Sequence, residues 1–186
     1  MRRVAVTGLG LVSPLGRGRE PFFDALARGQ GGLRPVTRFE TAGMDISWAG
    51  EVPEAAALVR DVSEELDCLS GGSRPFLSGS ASLARTLERD IKIAFALAAA
   101  GEALADAALT RLDQASLVHL GVSLETFTLG AVGQVSGLDG REIEKLLNRA
   151  SLRIPLDRAV NIIEARWGLA GLALTNCSAC AAGLEA

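Results

Sequence analysis

Two cysteines set three residues apart, Cys177-Ser178-Ala179-Cys180, are the residues of this chain best suited to covalent chemistry. They follow a short apolar run of strand length, Leu172-Ala173-Leu174, which stands behind Gly171. A polar turn, Asn176-Cys177-Ser178, then leads into small helix-favouring residues, Ala179 to Ala182. A cysteine at such a strand-to-helix corner faces unpaired helix N–H groups and the positive end of the helix dipole, both of which stabilise a thiolate. Small neighbours let a reacting group come close to the backbone. Cys180 is therefore the candidate nucleophile.

The same C-x-x-C spacing supports two other uses. A thiol redox module built on Cys177 and Cys180 would suit a strand-to-helix corner. Redox folds of that kind, however, place the motif early, with most of the domain after it. A zinc site would need two further ligands, and only Cys68 and His119 remain, at no recognisable spacing. No metal and no cofactor is expected. Near the start, Gly8-Leu9-Gly10-Leu-Val-Ser13 follows an apolar run and brushes against a dinucleotide-binding fingerprint. The third glycine is missing, and Pro14 and Gly16 interrupt the helix that would receive a pyrophosphate, so a structural turn is preferred.

Several elements must position these residues. Val4 to Thr7 reads as a buried strand. Glu20 to Gly29 reads as a helix, with Pro21 in its first turn, Phe22, Phe23, Leu26 and Ala27 on one face, and Gly29 as its stop. The segment from Gly31 to Pro53 is rich in turn formers and holds one short strand candidate, Ile46 to Ala49. Gly71 to Ser82 is a Gly/Ser loop. The spacing of Leu87, Ile91, Ala94, Phe95, Ala98, Ala105 and Ala108 predicts a helix, apolar on nearly all sides and suited to a place between layers. Lys92 beside that stripe reads as a surface charge. Ser116 to Ser123 is a strand candidate, Gly130 to Gly140 a loop, and Asp139 caps a further helix. Pro155 to Trp167 is the last long helix, with Ala159, Ile162 and Ile163 near one face and Gly168 as its C-cap.

At 186 residues, 48% of them apolar, the chain can bury a core as a single domain spanning residues 1–186. A net charge of −3 leaves no footprint of nucleic-acid binding. No apolar run is long enough to span a bilayer, and Met-Arg-Arg followed by a short apolar run does not read as a signal peptide. Three cysteines, an odd number, argue for reduced thiols and a cytoplasmic setting.

Ala179-Cys180-Ala-Ala-Gly183, preceded by Trp167-Gly168-Leu169-Ala170-Gly171, resembles the nucleophile segment of the beta-ketoacyl-acyl-carrier-protein synthases. The opening, Arg2-Arg3-Val-Ala-Val-Thr7-Gly8-Leu9-Gly10-Leu-Val-Ser13-Pro14-Leu15-Gly16, resembles that family's first strand and following loop. The resemblance implies an α/β fold of the thiolase-like, layered α/β/α kind, here its incomplete N-terminal half. It implies decarboxylative condensation of acyl and malonyl thioesters carried on an acyl carrier protein, in an enzyme that is a homodimer or heterodimer. It also implies that Cys180 is the nucleophile and that its own N–H is one oxyanion donor. His119, although the only histidine, stands where the family commonly has an ordinary residue, so a role as general base for Cys180 is not expected.

The family's two catalytic histidines and assisting lysine lie beyond the nucleophile, so the 186-residue chain alone is expected to be inactive in condensation. A second polypeptide would be one source of the remainder, and a non-catalytic half that dimerises or docks a carrier protein is the other reading. Leu172 replaces a frequent proline and Ser178 a common threonine. The segment also differs from the Asp-Thr-Ala-Cys-Ser-Ser of large modular synthases, so a discrete enzyme is the better match. The nucleophile distinguishes the chain from a chain-length factor, which lacks it. From Cys180 onward the chain is too short to hold a helix by itself.

Overall fold

The computed structural model describes residues 3–69, 86–88, 90–122, 157–168 and 171–186. The Gly/Ser loop at 71–82, the loop at 130–140 and the helix expected from Asp139 lie outside the described residues, as do Leu169, Ala170 and the side chain of Cys68. The chain divides into two compact units, Met1–Leu58 with Phe95–Thr110, and Val59–Ala94 with Arg111–Ala186. The divisions fall inside helices α2 (Ala55–Leu69) and α3 (Ile91–Asp106).

In the first unit the expected strand at Val4–Thr7 is absent. Val4 and Val6 are 93% and 79% exposed, and the segment pairs with no strand among the described residues. An apolar run alone does not make a strand, because its backbone groups need a ladder partner. The chain here is anchored instead by carboxylates on α3. Leu9 N–H donates to Asp106 Oδ2 at 3.1 Å, and Leu11 N–H donates to Glu102 Oε2 at 2.8 Å. The glycines of the Gly-x-Gly motif make this approach possible. A Cβ at Gly8 would stand 2.1 Å from the Ala103 carbonyl oxygen, and one at Gly10 1.8 Å from that of Ala99. The motif is thus a seat for backbone against the alanine-rich side of α3, which accounts for the alanines as well.

Strands β1 (Val12–Ser13) and β2 (Gly16–Arg17) then form a small antiparallel hairpin. Helix α1 (Arg19–Ala27) follows, close to its expected limits, and Gly29 (φ 66) ends it. Its expected apolar face is not buried. Ala25 is the buried residue, while Phe23 and Leu26 are about half exposed and Phe22 packs edge-on against Phe23. The N-cap, Gly18, offers no side chain, and Glu102 Oε1 takes its place by accepting the Arg19 N–H at 2.8 Å. Arg19 itself pairs with Asp106. The strand expected at Ile46–Ala49 shortens to β4 (Trp48–Ala49), antiparallel to β3 (Arg34–Pro35).

The second unit is built on a parallel pair, β5 (Leu117–Val122) and β6 (Leu172–Cys177), in the register Leu117↔Leu172 through Val122↔Cys177. Helix α4 (Arg158–Trp167) lies between them in sequence and packs on both. It closes as expected with Gly168 in the left-handed conformation (φ 71), whose N–H donates to Glu164 O. The core holds Val59, Val62 and Leu66 of α2, Leu87, Ile93, and Val160, Ile162 and Ile163 of α4, all buried. No element was expected over 55–69, yet the spacing of Leu58, Val59, Val62 and Leu66 is that of one helix face. Arg166 pairs with Glu65 and lies over the Trp167 ring at 4.4 Å. Burial pushes its guanidinium below the ordinary value.

Candidate functional site

Strand β6 runs further than the apolar triplet suggested, taking in Asn176 and Cys177, which were expected in a turn. Pairing with β5 explains the extension, since Gly121↔Asn176 and Val122↔Cys177 continue the parallel ladder. After Ser178 the chain tightens into a 3₁₀ turn, Ala179–Ala181, and then the short helix α5 (Ala182–Glu185). Ala179 enters the turn at φ 49, a left-handed conformation that costs a non-glycine residue roughly 1–2 kcal/mol. Cys180 comes next, with an exposed, free thiol. Cys177, at the strand end, is exposed as well.

A helix of this length does not form by itself. It is seated on β5 through Gly121, where a Cβ would stand 2.2 Å from the Ala182 carbonyl oxygen. Ala182 is accordingly buried while its neighbours are exposed. A polar network ties the turn from the other side. Asn176 Nδ2 donates to Glu185 Oε2 at 2.8 Å and to Ser178 Oγ at 3.1 Å, and approaches the Ala182 carbonyl at 3.5 Å. Ser178 Oγ donates to the same Glu185 oxygen. An ionised carboxylate only accepts, so Glu185 fixes which way the Asn176 amide points. The cost is a buried Asn176 Oδ1 with no partner among the described residues.

The other sequence candidates lie elsewhere. His119 pairs with Leu174 in mid-strand, three positions before Val122↔Cys177 ends the ladder. It stands two positions before Gly121 and so shares the face of β5 on which α5 sits. Lys92 lies 3.6 Å from Asp90 at the start of α3, about half exposed. Among the described residues, no group of three or more His, Cys, Asp or Glu is arranged to hold a metal ion, and no helix is long and apolar enough to cross a membrane.

A cavity of about 320 Å³ in the first unit is lined by Gly18, Arg19, Pro21, Glu102 and Asp106 among others. Its charged groups already serve one another and the backbone. The Arg19 guanidinium and the Leu9 N–H hold the Asp106 carboxyl below the usual range. Sequence reasoning singled out Cys180 and gave no role to Gly121, Asn176, Ser178 or Glu185. Only the parallel register brings the first of these under α5, and only the turn folds Glu185 back onto Asn176.

A parallel pair that delivers an exposed cysteine into a tight turn and a helix defines the class as a thiol-bearing α/β protein. The chain belongs to the beta-ketoacyl synthase family, matching the model of the family's N-terminal domain over residues 1–186. It is similar to 3-oxoacyl-[acyl-carrier-protein] synthase 2 of Coxiella burnetii, at 26% identity over 99% of the chain and 40% of that protein. A putative polyketide beta-ketoacyl synthase 1 of Streptomyces cyaneus is 32% identical over 100% of the chain and 41% of its own length. In three dimensions the chain resembles the ishigamide ketosynthase/chain length factor, with a TM-score of 0.60 and 24% identity over 95% of the chain and 40% of that structure. A beta-ketoacyl synthase from Burkholderia phymatum gives a TM-score of 0.58 at 22% identity, over 100% of the chain and 42% of that structure. The fold is thus the thiolase-like α/β fold of the ketosynthases, and the chain spans about 40% of the length of these relatives.

Proposed function

We propose that residues 1–186 form the nucleophile-bearing domain of a 3-oxoacyl-acyl-carrier-protein synthase acting in fatty-acid or polyketide synthesis. The observation that carries this reading is the exposed Cys180 thiol in the tight turn between β6 and α5, in a chain of the beta-ketoacyl synthase family. The Cys180 thiolate attacks the carbonyl carbon of an acyl thioester on the carrier protein. A new sulfur–carbon bond forms, the carrier's sulfur–carbon bond breaks, and the carrier leaves as a thiolate that takes a proton from solvent. In the condensation, malonyl thioester loses carbon dioxide, and the electron pair left behind attacks the acyl carbon and expels the Cys180 thiolate. N–H donors, including that of Cys180, hold the oxyanion in both steps.

The enzyme acts as a homodimer or heterodimer in the cytoplasm. An exposed free thiol is suited to a reducing compartment. The test is acylation of the purified chain by an octanoyl thioester, followed by peptide mass mapping. One acyl group is expected on Cys180, none on a Cys180→Ala variant, and an unchanged adduct on Cys177→Ser. Acylation at Cys177, or at no cysteine, overturns the assignment.

A further inference from the structure

Glu185 is the last residue of α5, and its carboxylate accepts from both Asn176 and Ser178 on the far side of the turn. These bonds close a ring of chain around Ala179, Cys180 and Ala181. Within the ring Ala181 N–H donates to Ser178 O at 3.1 Å, a local bond that leaves the tilt of the turn against β6 open. The Gly121 seat fixes how close α5 lies to β5, and the Glu185 bonds fix how α5 is tied to the end of β6. Displacement of a nucleophile by a fraction of an ångström is enough to spoil attack on a carbonyl, whose oxygen must meet the N–H donors at the same moment. Simple alkylation of the thiol has no such requirement.

We infer that Glu185, acting through Asn176 and Ser178, is a positioning residue that holds the Cys180 turn in the geometry needed for attack on a thioester. The inference rests on the reading of Cys180 as the nucleophile. Glu185 is exposed, so its replacement removes the tie without opening a core. Glu185→Ala loses both acceptor bonds. Glu185→Gln keeps one side-chain oxygen at the same reach.

Three measurements on the full 186-residue chain test this: the octanoyl-thioester acylation rate at Cys180, the iodoacetamide alkylation rate at Cys180, and hydrogen exchange of the amides from 178 to 182. Glu185→Ala is expected to slow acylation by about tenfold, to leave alkylation within about twofold, and to speed exchange across the turn. Glu185→Gln is expected to restore all three towards the parent values. Unchanged exchange in Glu185→Ala overturns the tie itself. Faster exchange with an unchanged ratio of acylation to alkylation overturns the positioning role. Absence of acylation in the parent chain sinks the nucleophile reading, and with it the positioning role, even where exchange still separates Ala from Gln.

Discussion

Asp106 shows how much of this chain is held by single carboxylates. It accepts the Leu9 N–H and pairs with Arg19, joining the opening segment and the start of α1 to the end of α3. Arg19, first among the causes, holds the Asp106 carboxyl below its ordinary value of 3.8, and the Leu9 N–H adds to the effect. A carboxyl whose value is lowered on folding favours the folded state only while it is ionised. Its contribution is therefore complete above pH 3.8 and is lost as the pH falls through the lower folded value. Asp106→Asn should melt below the parent at pH 7, and the gap should close as the pH drops through about 4 towards 2. Thermal melts of both proteins across that range are the measurement, and a gap of constant size would show that the charge is not involved. Glu102 needs no ion pair for the same task, since two backbone N–H groups converge on its oxygens, one of them at the otherwise uncapped start of α1. A less conspicuous residue also shapes the Cys180 turn: Ala179 takes a left-handed conformation, in which its Cβ crowds the following carbonyl oxygen.

Helix α5 shows what an element of one turn requires. Its seat on β5 admits no side chain at position 121, where an added Cβ would stand 2.2 Å from Ala182 O. Gly121→Ala must lift α5 or distort β5, and should destabilise the chain by about 1–3 kcal/mol while speeding amide exchange in α5. Gly183→Ala, in the same helix with nothing within 4 Å of its added Cβ, is the control. It should be neutral or stabilising by up to about 1 kcal/mol, as helix propensity dictates. Equal losses in the two variants would refute the idea of a backbone seat. The contrast also shows what could be read before the structure. Cys180 drew attention by its place after an apolar run, and α3, β5 and α4 were legible because each announces itself locally, by helical spacing, an apolar run or a capping glycine. Val4–Thr7 misled because a strand is a relation between two segments and an apolar run is a property of one. Gly121 looked like any strand glycine, and Glu185 like a solvated helix charge. Their roles arise from a parallel register and a chain reversal that no local pattern encodes.

At the scale of the whole chain, acylation and condensation should separate. Taking up an acyl group asks for a thiolate and oxyanion donors, for which the turn around Cys180 is the candidate. Decarboxylation of malonyl thioester asks in addition for groups that assist loss of carbon dioxide and stabilise the resulting enolate, for which the synthases this chain resembles use two histidines and a lysine. The 186 residues contain one histidine. His119 pairs with Leu174 in the middle of β5. Lys92, at the start of α3, lies 3.6 Å from Asp90. The purified chain should therefore accumulate octanoyl-Cys180 and, given malonyl-carrier protein, release neither carbon dioxide nor a 3-oxoacyl product. Radiolabelled malonyl thioester with product analysis is the measurement, and malonyl-dependent 3-oxoacyl formation by the chain alone would refute the assignment. Supplying a polypeptide that carries the two histidine motifs should restore turnover only if it covers apolar surface that β5 and β6 leave open. Leu117 and Leu172 are each 56% exposed, and Leu174 is 41% exposed. Replacing Leu172 and Leu174 together by serine should abolish that rescue while leaving acylation of Cys180 intact, because neither side chain belongs to the turn.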